Sequence, residues 1–349
     1  MSRYAAIDLA QYPVADVLET VTFEKHLARD LAEFARRWAT RIDADQTLPP
    51  IDAIVLESDP SRVVIEVGAT REMILRARVN NALRSLTLAG ATGRALDHIG
   101  ATYYRTPRLT GEVDDVYRAR LAIAPESWSI AGPDGAYLFH ALSASSDIGD
   151  VAIYSEDEGV ARAPHVRVVI LPRAGSAGEM SDGRATPALC ATVEAALRRS
   201  DLRPLGDLVT VESADVIPFD VVCALTVRPG VSAADVAAQA RTRLAGWTAG
   251  RTRWVGDQTV GPVWLIGREI TEETLAAIAR AGDGNIITVD VTVIGGTNTA
   301  PAGYRDALAK VGRGDFAVLP PELTAHLFRA PRIRTITVTA TPATTGWSP

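Results

Sequence analysis

The sequence contains few cysteines and lysines, and each shortage excludes a kind of site. Its two cysteines, Cys190 and Cys223, stand far apart in apolar surroundings, so neither a disulfide scaffold nor a cysteine-ligated zinc site is expected. We expect both thiols to act as small buried apolar side chains. Lys25 and Lys310 are the only lysines. Since neither follows a glycine-rich turn, the sequence has no phosphate-binding P-loop.

Long apolar runs and an excess of basic residues are also missing. No stretch approaches the ~18 consecutive apolar residues of a membrane helix, and residues 1–13 lack the basic start and apolar core of a signal peptide. We therefore expect a soluble protein made in a reducing cytoplasm. The net charge of −6 argues against nucleic acid or an anionic membrane as a partner. The 47% apolar and 22% charged shares exclude a disordered or fibrous chain.

Catalytic and metal-binding patterns are missing from the sequence. The five histidines are His26, His98, His140, His165 and His326. They form no H-E-x-x-H pattern and no pair three or four residues apart, and no G-x-S-x-G nucleophile turn is found. The acidic pairs Asp114–Asp115 and Glu272–Glu273 fall at predicted helix starts, where the helix dipole explains them without catalysis. We expect no catalytic residue, no metal ion and no cofactor.

The first hundred residues are predicted to form long amphipathic helices. Thr22 can cap the first helix, whose large apolar residues recur at 4-4-3-4 spacing along one stripe. The stripe consists of Phe23, Leu27, Leu31, Phe34 and Trp38. Asp59 and Pro60 open a second helix of about 30 residues. Its apolar side includes Val63, Val67 and Ile74. The first helix fits either an ordinary core or a bundle with another chain, whereas the second is too long to be covered by a globule of a hundred residues alone. Gly100 is predicted to close a short helix over residues 95–99.

The pattern divides the chain into four predicted parts. Residues 1–105 form a helical region that binds partners, and residues 106–150 form a helical connector. Residues 151–250 are predicted to form a strand–helix–strand–strand–helix domain, and residues 251–349 a further α+β domain with a polar tail. The predicted class is α+β and multidomain. Long N-terminal helices are followed by split βαβ units, in which helices cover an antiparallel sheet.

Several segments without chemical motifs carry a specific resemblance. They are IDLAQYPVADVLETVTFE (7–24), LDHIGATYYRTPR (96–108), DDVYRARLAIAPES (114–127), SIAGPDGAYLFHALSASSDIGDVAI (129–153) and SDLRPLGDLVTVESA (200–214). Together they resemble the baseplate J-like family, the wedge proteins of contractile phage tails, tailocins and related injection machines. Tyr117 and Tyr137 in these segments look like packing anchors. The resemblance covers about residues 3–250 and thins beyond them, where residues 295–331 look longer than the family usually has.

The resemblance implies a structural role without a reaction. Two copies of the chain would join one smaller wedge protein, and six wedges would close a ring around the hub and tube. Further implied partners are neighbouring wedges, other wedge and hub proteins, and the proteins that initiate the sheath. The N-terminal helices of the three chains would bundle through the apolar residues named above, and the C-terminal domains would pair. The protein would be a virion component of the tail baseplate, assembled in the host cytoplasm.

A subunit used twice in one wedge is expected to adopt two arrangements of its rigid parts. Two copies that share one third chain cannot make identical contacts. The predicted hinges are residues 106–112 and the turn of Gly132, Pro133 and Gly135, where glycine and proline interrupt the helical pattern.

Two other functions remain open at the level of sequence. The pattern over residues 166–247 also fits a regulatory dimer that binds a small ligand between ferredoxin-like units, although this leaves the N-terminal helices without a role. A tail-associated hydrolase would need a carboxylate or metal constellation, which the sequence does not offer. A wedge protein should join a hetero-oligomer, whereas a regulator should be a self-contained dimer whose melting temperature rises with ligand.

Overall fold

A computed structural model describes residues 18–51, 56, 59–128, 133–155, 160–161, 164–202, 204, 206–248, 254–255, 258–259, 265–267, 269, 271–295, 298, 301 and 324–343. The helices of the first part are α1 (Phe23–Ala44), α2 (Pro60–Ser85), α3 (Gly93–Tyr103), α4 (Asp114–Ile123), a 3-10 turn (Ala124–Trp128) and α5 (Asp134–Ala144). The second part contains β1 (Ile148–Tyr154), β2 (His165–Pro172), α6 (Pro187–Leu197), β3 (Leu208–Ser213), β4 (Asp215–Val227) and α7 (Ala233–Thr248). It continues with β5 (Trp254–Val255), β6 (Gln258–Thr259), α8 (Glu272–Arg280), β7 (Ile286–Gly295), a 3-10 turn (Ala325–Phe328) and β8 (Arg329–Pro342).

Helices α1 and α2 form an antiparallel hairpin within the unit of residues 11–99. The predicted caps are confirmed, because the side chains of Thr22 and Asp59 each accept a hydrogen bond from a backbone N–H of the first turn. The buried Asn80, near the end of α2, holds the chain just before α1. Its side chain donates to the carbonyl of Glu19 (2.8 Å) and accepts from the amide of the same residue (3.2 Å).

The short helix α3 extends further than predicted. Because it runs from Gly93 to Tyr103, Gly100 lies inside the helix and does not close it. A Cβ on Gly100 would stand 1.9 Å from Tyr117 Oη. Glycine is therefore required at this position by the close approach of the Tyr117 ring, and the prediction of a helix end there is wrong.

Strands β1, β2 and β3 form the first sheet, in that order. β1 is antiparallel to β2, whereas β2 and β3 are parallel and are connected through α6. Parallel neighbours need such a crossover, which is usually a helix. Apolar side chains of α5, α6 and the sheet form one buried cluster, which includes Leu138, Ile170, Val193 and Val209.

Strands β7, β4 and β8 form the second sheet, with β4 at its centre. β7 is antiparallel to β4, and β8 is parallel to it. Alternate residues of β4, namely Phe219, Val221, Cys223 and Leu225, are buried in a cluster that also contains residues of α7 and α8. Burial raises the pKa of the Cys223 thiol to about 11. This fits the predicted role of Cys223 as a small apolar core residue, while Cys190 is half-buried.

The two sheets share a hydrophobic core. Tyr154 and Leu171 of the first sheet belong to the same buried cluster as Phe219 and Leu225 of the second. Hydrogen bonds also join the first sheet to the segment before α8. The buried carboxylate of Asp150, on β1, accepts hydrogen bonds from the amides of residues 265 and 266, the latter at 2.8 Å. The two sheets therefore make a single packed body.

The α+β class is confirmed, but the strand pairing differs from the expected antiparallel sheets. Each of the two three-stranded sheets contains one parallel pair, whereas β5 and β6 form an antiparallel pair. β2 and β3 are direct neighbours, so the unit is not split by an intervening strand, and residues 166–247 do not form a ferredoxin-like unit. The boundary predicted at residue 250 separates β4 from β7 and β8, which lie in one sheet. Most of the extended region 295–331 lies outside the described residues.

Candidate assembly surfaces

The outer side of α2 is apolar and exposed. We call this surface the α2 face; it consists of Val63, Val64, Val67, Ile74, Leu75, Val79 and Leu86. Their exposed fractions range from 47% to 75%. At 3.6 residues per turn these side chains lie within one half of the helix circumference. The buried residues Ala69 and Asn80 lie on the opposite half. Exposed apolar surfaces of this kind are typical of sites that bind another protein.

The predicted stripe of α1 is half-buried within the chain. Its members Phe23, Leu27, Leu31, Phe34 and Trp38 are all partly exposed. Phe34 and Trp38 stack with their ring centroids 6.1 Å apart, and Trp38 Nε1 donates to the Pro49 carbonyl (3.0 Å). The three α2 residues of the predicted set are more open, with exposed fractions of 53% at Val63, 47% at Val67 and 49% at Ile74. The structure brings the eight residues into one hairpin and leaves the larger free surface on α2.

Ion pairs neutralise much of the polar surface of the hairpin. Glu33 accepts hydrogen bonds from Arg36 (2.8 Å) and Arg37 (2.6 Å). These two guanidinium groups lower the pKa of Glu33 to about 2. On α2, Arg76 binds Glu72 (2.7 Å). Exposed pairs of this kind contribute little to stability. The surface that sets the hairpin apart is therefore the apolar α2 face.

A buried network fastens the first predicted hinge, residues 106–112, to α4. Arg120 binds the carboxylate of Glu112 through two hydrogen bonds (2.8 and 2.7 Å), and both side chains are buried. Arg120 also donates to the carbonyl of Pro107 (2.9 Å), and Tyr117 Oη donates to the carbonyl of Thr106 (2.6 Å). These contacts fix both ends of the segment, a geometry that does not fit a hinge there.

Two guanidinium groups complete this network by lying against the ring of Tyr117. Arg108 Cζ is 4.5 Å and Arg120 Cζ is 5.3 Å from the ring centroid, within the range of cation–π contacts. Arg108 also binds Asp114 (2.7 Å). The sequence predicts Tyr117 as an anchor and the structure confirms its burial. The sequence does not predict the burial and pairing of Glu112 and Arg120. An arginine on a short helix has the pattern of a solvent-facing residue.

The second predicted hinge lies at the start of α5. Gly132 lies outside the described residues, Pro133 is the N-cap, and Gly135 belongs to the first turn of the helix. Gly135 is buried, and a Cβ on it would stand 2.8 Å from Glu126 Cγ. Gly135 thus packs closely against the side chain of Glu126 in the preceding 3-10 turn. A hinge in this turn stays a prediction.

The described part of the chain contains neither a cluster of metal-ligating side chains nor a membrane-spanning helix. Within it, no three histidine, cysteine, aspartate or glutamate side chains are placed to hold a metal ion. No helix in the same ranges is long and apolar enough to cross a membrane. The acidic pairs noted in the sequence lie in the first turns of α4 and α8, as expected for residues that face the positive end of a helix dipole.

Comparison with known proteins assigns the family. Residues 57–115 match the Baseplate J-like N-terminal domain, and residues 129–213 match the Baseplate J-like central domain. The first range contains the α2 face, and the second contains the first sheet. The chain is also 34% identical over 262 residues to baseplate protein J of Escherichia phage P2, and the match covers 71% of this chain and 82% of that protein. The chain therefore belongs to the Baseplate J-like family and is a structural protein of a phage tail baseplate.

Proposed function

We propose that the chain is a subunit of the baseplate wedge. Two copies join one smaller wedge protein, and six wedges close a ring around the hub and tube. The chain also contacts neighbouring wedges and the proteins that initiate the sheath, and it catalyses no reaction. The observation that carries this proposal is the α2 face, an apolar surface along most of a 26-residue helix that the isolated chain leaves exposed.

The spacing within the α2 face suits a helix bundle. Val63 and Val67 are four residues apart and Ile74 follows seven later, while Leu75, Val79 and Leu86 repeat the four-and-seven spacing. Separations of four and seven residues keep side chains along the seam between packed helices. The partner that fits is therefore an amphipathic helix with its own apolar stripe, supplied by the smaller wedge protein and by the second copy.

The size of the α2 face indicates that it acts together with the α1 stripe. Fully burying one valine, leucine or isoleucine side chain contributes about 1.5–3 kcal/mol. The seven side chains are already partly covered in the isolated chain. Burying the rest of each in a complex therefore contributes on the order of half of this value per residue. Association itself costs about 4–15 kcal/mol. A bundle that also covers the half-buried residues of α1 has more apolar area with which to offset that cost.

Substitution on the α2 face tests the proposal. Ile74→Asp introduces a charge at a side chain that is 49% exposed, so the isolated chain should fold normally. In the bundle the same carboxylate would be buried without a partner, which costs several kcal/mol. We expect Ile74→Asp to reduce co-purification with the co-expressed smaller wedge protein at least tenfold, while the melting temperature of the variant alone stays unchanged.

Leu208→Asp is the matched control, since Leu208 lies on β3 and is 48% exposed. It should leave co-purification at the wild-type level. If Ile74→Asp and Leu208→Asp both assemble normally, α2 is not the bundle surface.

Analysis of bound groups tests the statement that the chain is not an enzyme. The purified protein should carry no stoichiometric zinc, iron or nucleotide. A metal-to-protein ratio near one that survives dialysis against a chelator would contradict a purely structural role.

A further inference from the structure

Two arginines lie in the middle of the apolar α2 face. Arg71 and Arg78 are both exposed, and they are seven residues apart, which is about 10.5 Å along the helix axis. Ile74 and Leu75 are three or four residues from each arginine, so the four side chains lie on the same side of α2. The α2 face is therefore an apolar surface with two positive charges at its centre.

Two other arginines of α2 are paired within the chain, and both lie outside the α2 face. Arg62 binds Glu66 at 2.9 Å. Arg76 binds Glu72 at 2.7 Å. These two glutamates are the only acidic residues in the sequence of α2. The outer half of the helix therefore offers no carboxylate to an arginine that lies there.

The guanidinium groups of Arg71 and Arg78 have no comparable partner in the described part of the chain. Neither group forms a hydrogen bond or an ion pair with a residue in those ranges. Water hydrates both charges in the isolated chain. Another helix that covers the α2 face removes part of this water, and a charge that is buried without a counter-charge is costly. The surface therefore favours a partner helix that brings its own hydrogen-bond acceptors.

Carboxylates are the acceptors that match these two arginines. A planar guanidinium binds a carboxylate through two parallel hydrogen bonds, which are stronger than bonds between neutral groups. Charges beside the apolar seam of a helix bundle also determine the choice of partner and its orientation. Because Arg71 and Arg78 are two helical turns apart, the matching helix carries aspartate or glutamate at seven-residue spacing beside its own apolar stripe.

The α2 face of a second copy does not meet this requirement. In a parallel pair in register, each arginine would lie opposite the same arginine of the other copy. In an antiparallel pair centred between Ile74 and Leu75, Arg71 would lie opposite Arg78 of the other copy. Like charges placed opposite each other disfavour both arrangements. The same two side chains that suit an acidic partner therefore oppose packing of α2 on α2.

We propose that the α2 face binds an acidic amphipathic helix of another chain, in which two carboxylates seven residues apart pair with Arg71 and Arg78. This inference rests on the proposed function, in which the smaller wedge protein supplies a helix to the bundle, and it names the chemistry of that helix. The second copy of this chain enters the bundle through a surface other than its own α2 face.

Replacement of both arginines by leucine separates charge pairing from hydrophobic packing. If the face bound through apolar area alone, Arg71→Leu/Arg78→Leu would enlarge that area and strengthen assembly. If carboxylates of the partner lie opposite the two positions, the same variant leaves them buried without a counter-charge. We expect co-purification with the co-expressed smaller wedge protein to fall by about tenfold or more.

Two further double variants test the sign of the charge. Arg71→Glu/Arg78→Glu places carboxylates opposite carboxylates, so it should lower the yield of the complex at least as much as the leucine variant. Arg71→Lys/Arg78→Lys keeps both positive charges and should retain most of the wild-type yield, although lysine lacks the two parallel hydrogen bonds. All of these side chains are exposed in the isolated chain, so its melting temperature should stay unchanged.

Single charge reversals on the same helix give the matched control. Arg84 is also exposed and has no ion pair among the described residues, but it lies outside the α2 face. Arg78→Glu should lower co-purification, whereas Arg84→Glu should leave it at the wild-type level. Equal losses would show that the effect follows from net charge and not from the position of the arginine.

The isolated chain gives an independent readout. Light scattering at tens of micromolar should show a larger mean mass for Arg71→Leu/Arg78→Leu than for the wild type, because the like charges that keep two α2 faces apart are gone. Equal masses would contradict the role of the arginines in preventing self-association.

The inference would be overturned by unchanged or stronger assembly of Arg71→Leu/Arg78→Leu, or by wild-type assembly of Arg71→Glu/Arg78→Glu. If Ile74→Asp still abolishes assembly in that case, the proposed function stands, because Ile74→Asp tests whether a partner covers the α2 face at all. Normal assembly of Ile74→Asp would instead contradict the proposed function itself.

Discussion

Arg120 and Glu112 are joined by two hydrogen bonds although both side chains are more than nine-tenths buried. The pair closes the segment before α4 onto the helix itself, and the ring of Tyr117 lies beside it. Rotation at residues 106–112 would leave two charges unpaired in the interior, where an unpaired charge is very costly. The connector is therefore fixed at this end.

Removal of one partner of this pair should strongly destabilise the protein. We expect Arg120→Ala to lower the free energy of unfolding by about 3–5 kcal/mol, because Glu112 would stay buried without its counter-charge. Urea denaturation measures the difference. The matched control is Arg199→Ala, which breaks the pair with Asp201, in which the two side chains are 60% and 58% exposed. Its effect should be below about 1 kcal/mol, and equal effects of the two substitutions would contradict the buried network.

The two copies within an assembled wedge should differ at the turn before α5 and not at residues 106–112. We expect the described parts of residues 133–343 to superpose closely between the copies, since the two sheets share one core. The segment 106–112 should keep its contacts with α4 in both. A structure of the assembled baseplate measures this, and full-length superposition without rotation would show that the two positions need no hinge.

Two glycines on helices should respond oppositely to the same substitution. Gly100→Ala would bring a methyl group to 1.9 Å from Tyr117 Oη, so we expect a loss of about 1–3 kcal/mol from overpacking. Gly68, in the middle of α2, has no atom within 4 Å of the position of a Cβ. Gly68→Ala should therefore stabilise the chain by about 0.5–1 kcal/mol. Thermal unfolding compares them, and two changes of the same sign would contradict the assigned packing.

The two cysteines should differ in reactivity and in pH dependence. Burial raises the pKa of Cys223 to about 11, from a usual value of 9.0, and also raises that of the half-buried Cys190. A thiol reagent at pH 8 should therefore label Cys190 first and Cys223 only on unfolding. Cys190→Ser should abolish labelling of the native protein. Stoichiometric labelling of that variant within minutes would show that Cys223 is accessible.

The pH dependence follows from the sign of the same shift. A raised pKa in the folded state means that folding favours the protonated thiol. The contribution of the protonated Cys223 thiol to stability is complete below pH 9 and is lost as the pH rises towards 11. Cys223→Ala should remove this part of the decline in a series of denaturation curves at increasing pH.

Local features of the fold were predictable because short-range chemistry determines them. Thr22 and Asp59 cap their helices with side-chain oxygens, and β-branched runs form the strands after residue 150. The partners of the strands were not predictable. β4 could have joined the sheet of β2 and β3, which precede it, but its neighbours are β7 and β8. Periodicity shows which face of a strand is buried and does not show which strand lies beside it.

The assembly surface was predictable only in part. The spacing in α1 and α2 identifies apolar stripes, and Val63, Val67 and Ile74 are indeed exposed. The pattern does not show how much of each stripe is covered within the hairpin itself. It therefore predicts α1 and α2 equally as bundle surfaces, although the stripe of α1 is half-buried. Glu112 and Arg120 were missed because their pairing depends on the path of the chain between them.

The position of β8 has a consequence for the order in which the chain can fold. Asp220 on β4 and Arg334 on β8 are 114 residues apart but share an ion pair. The hairpin of α1 and α2 depends on contacts within the first hundred residues and can form early in synthesis. β4, by contrast, stays open on one side until β8 has left the ribosome, and pairing between such distant segments is slow. The newly made chain therefore has its apolar helices ready for a partner before its sheets are complete, so premature association is a hazard that an early-binding partner helix would reduce.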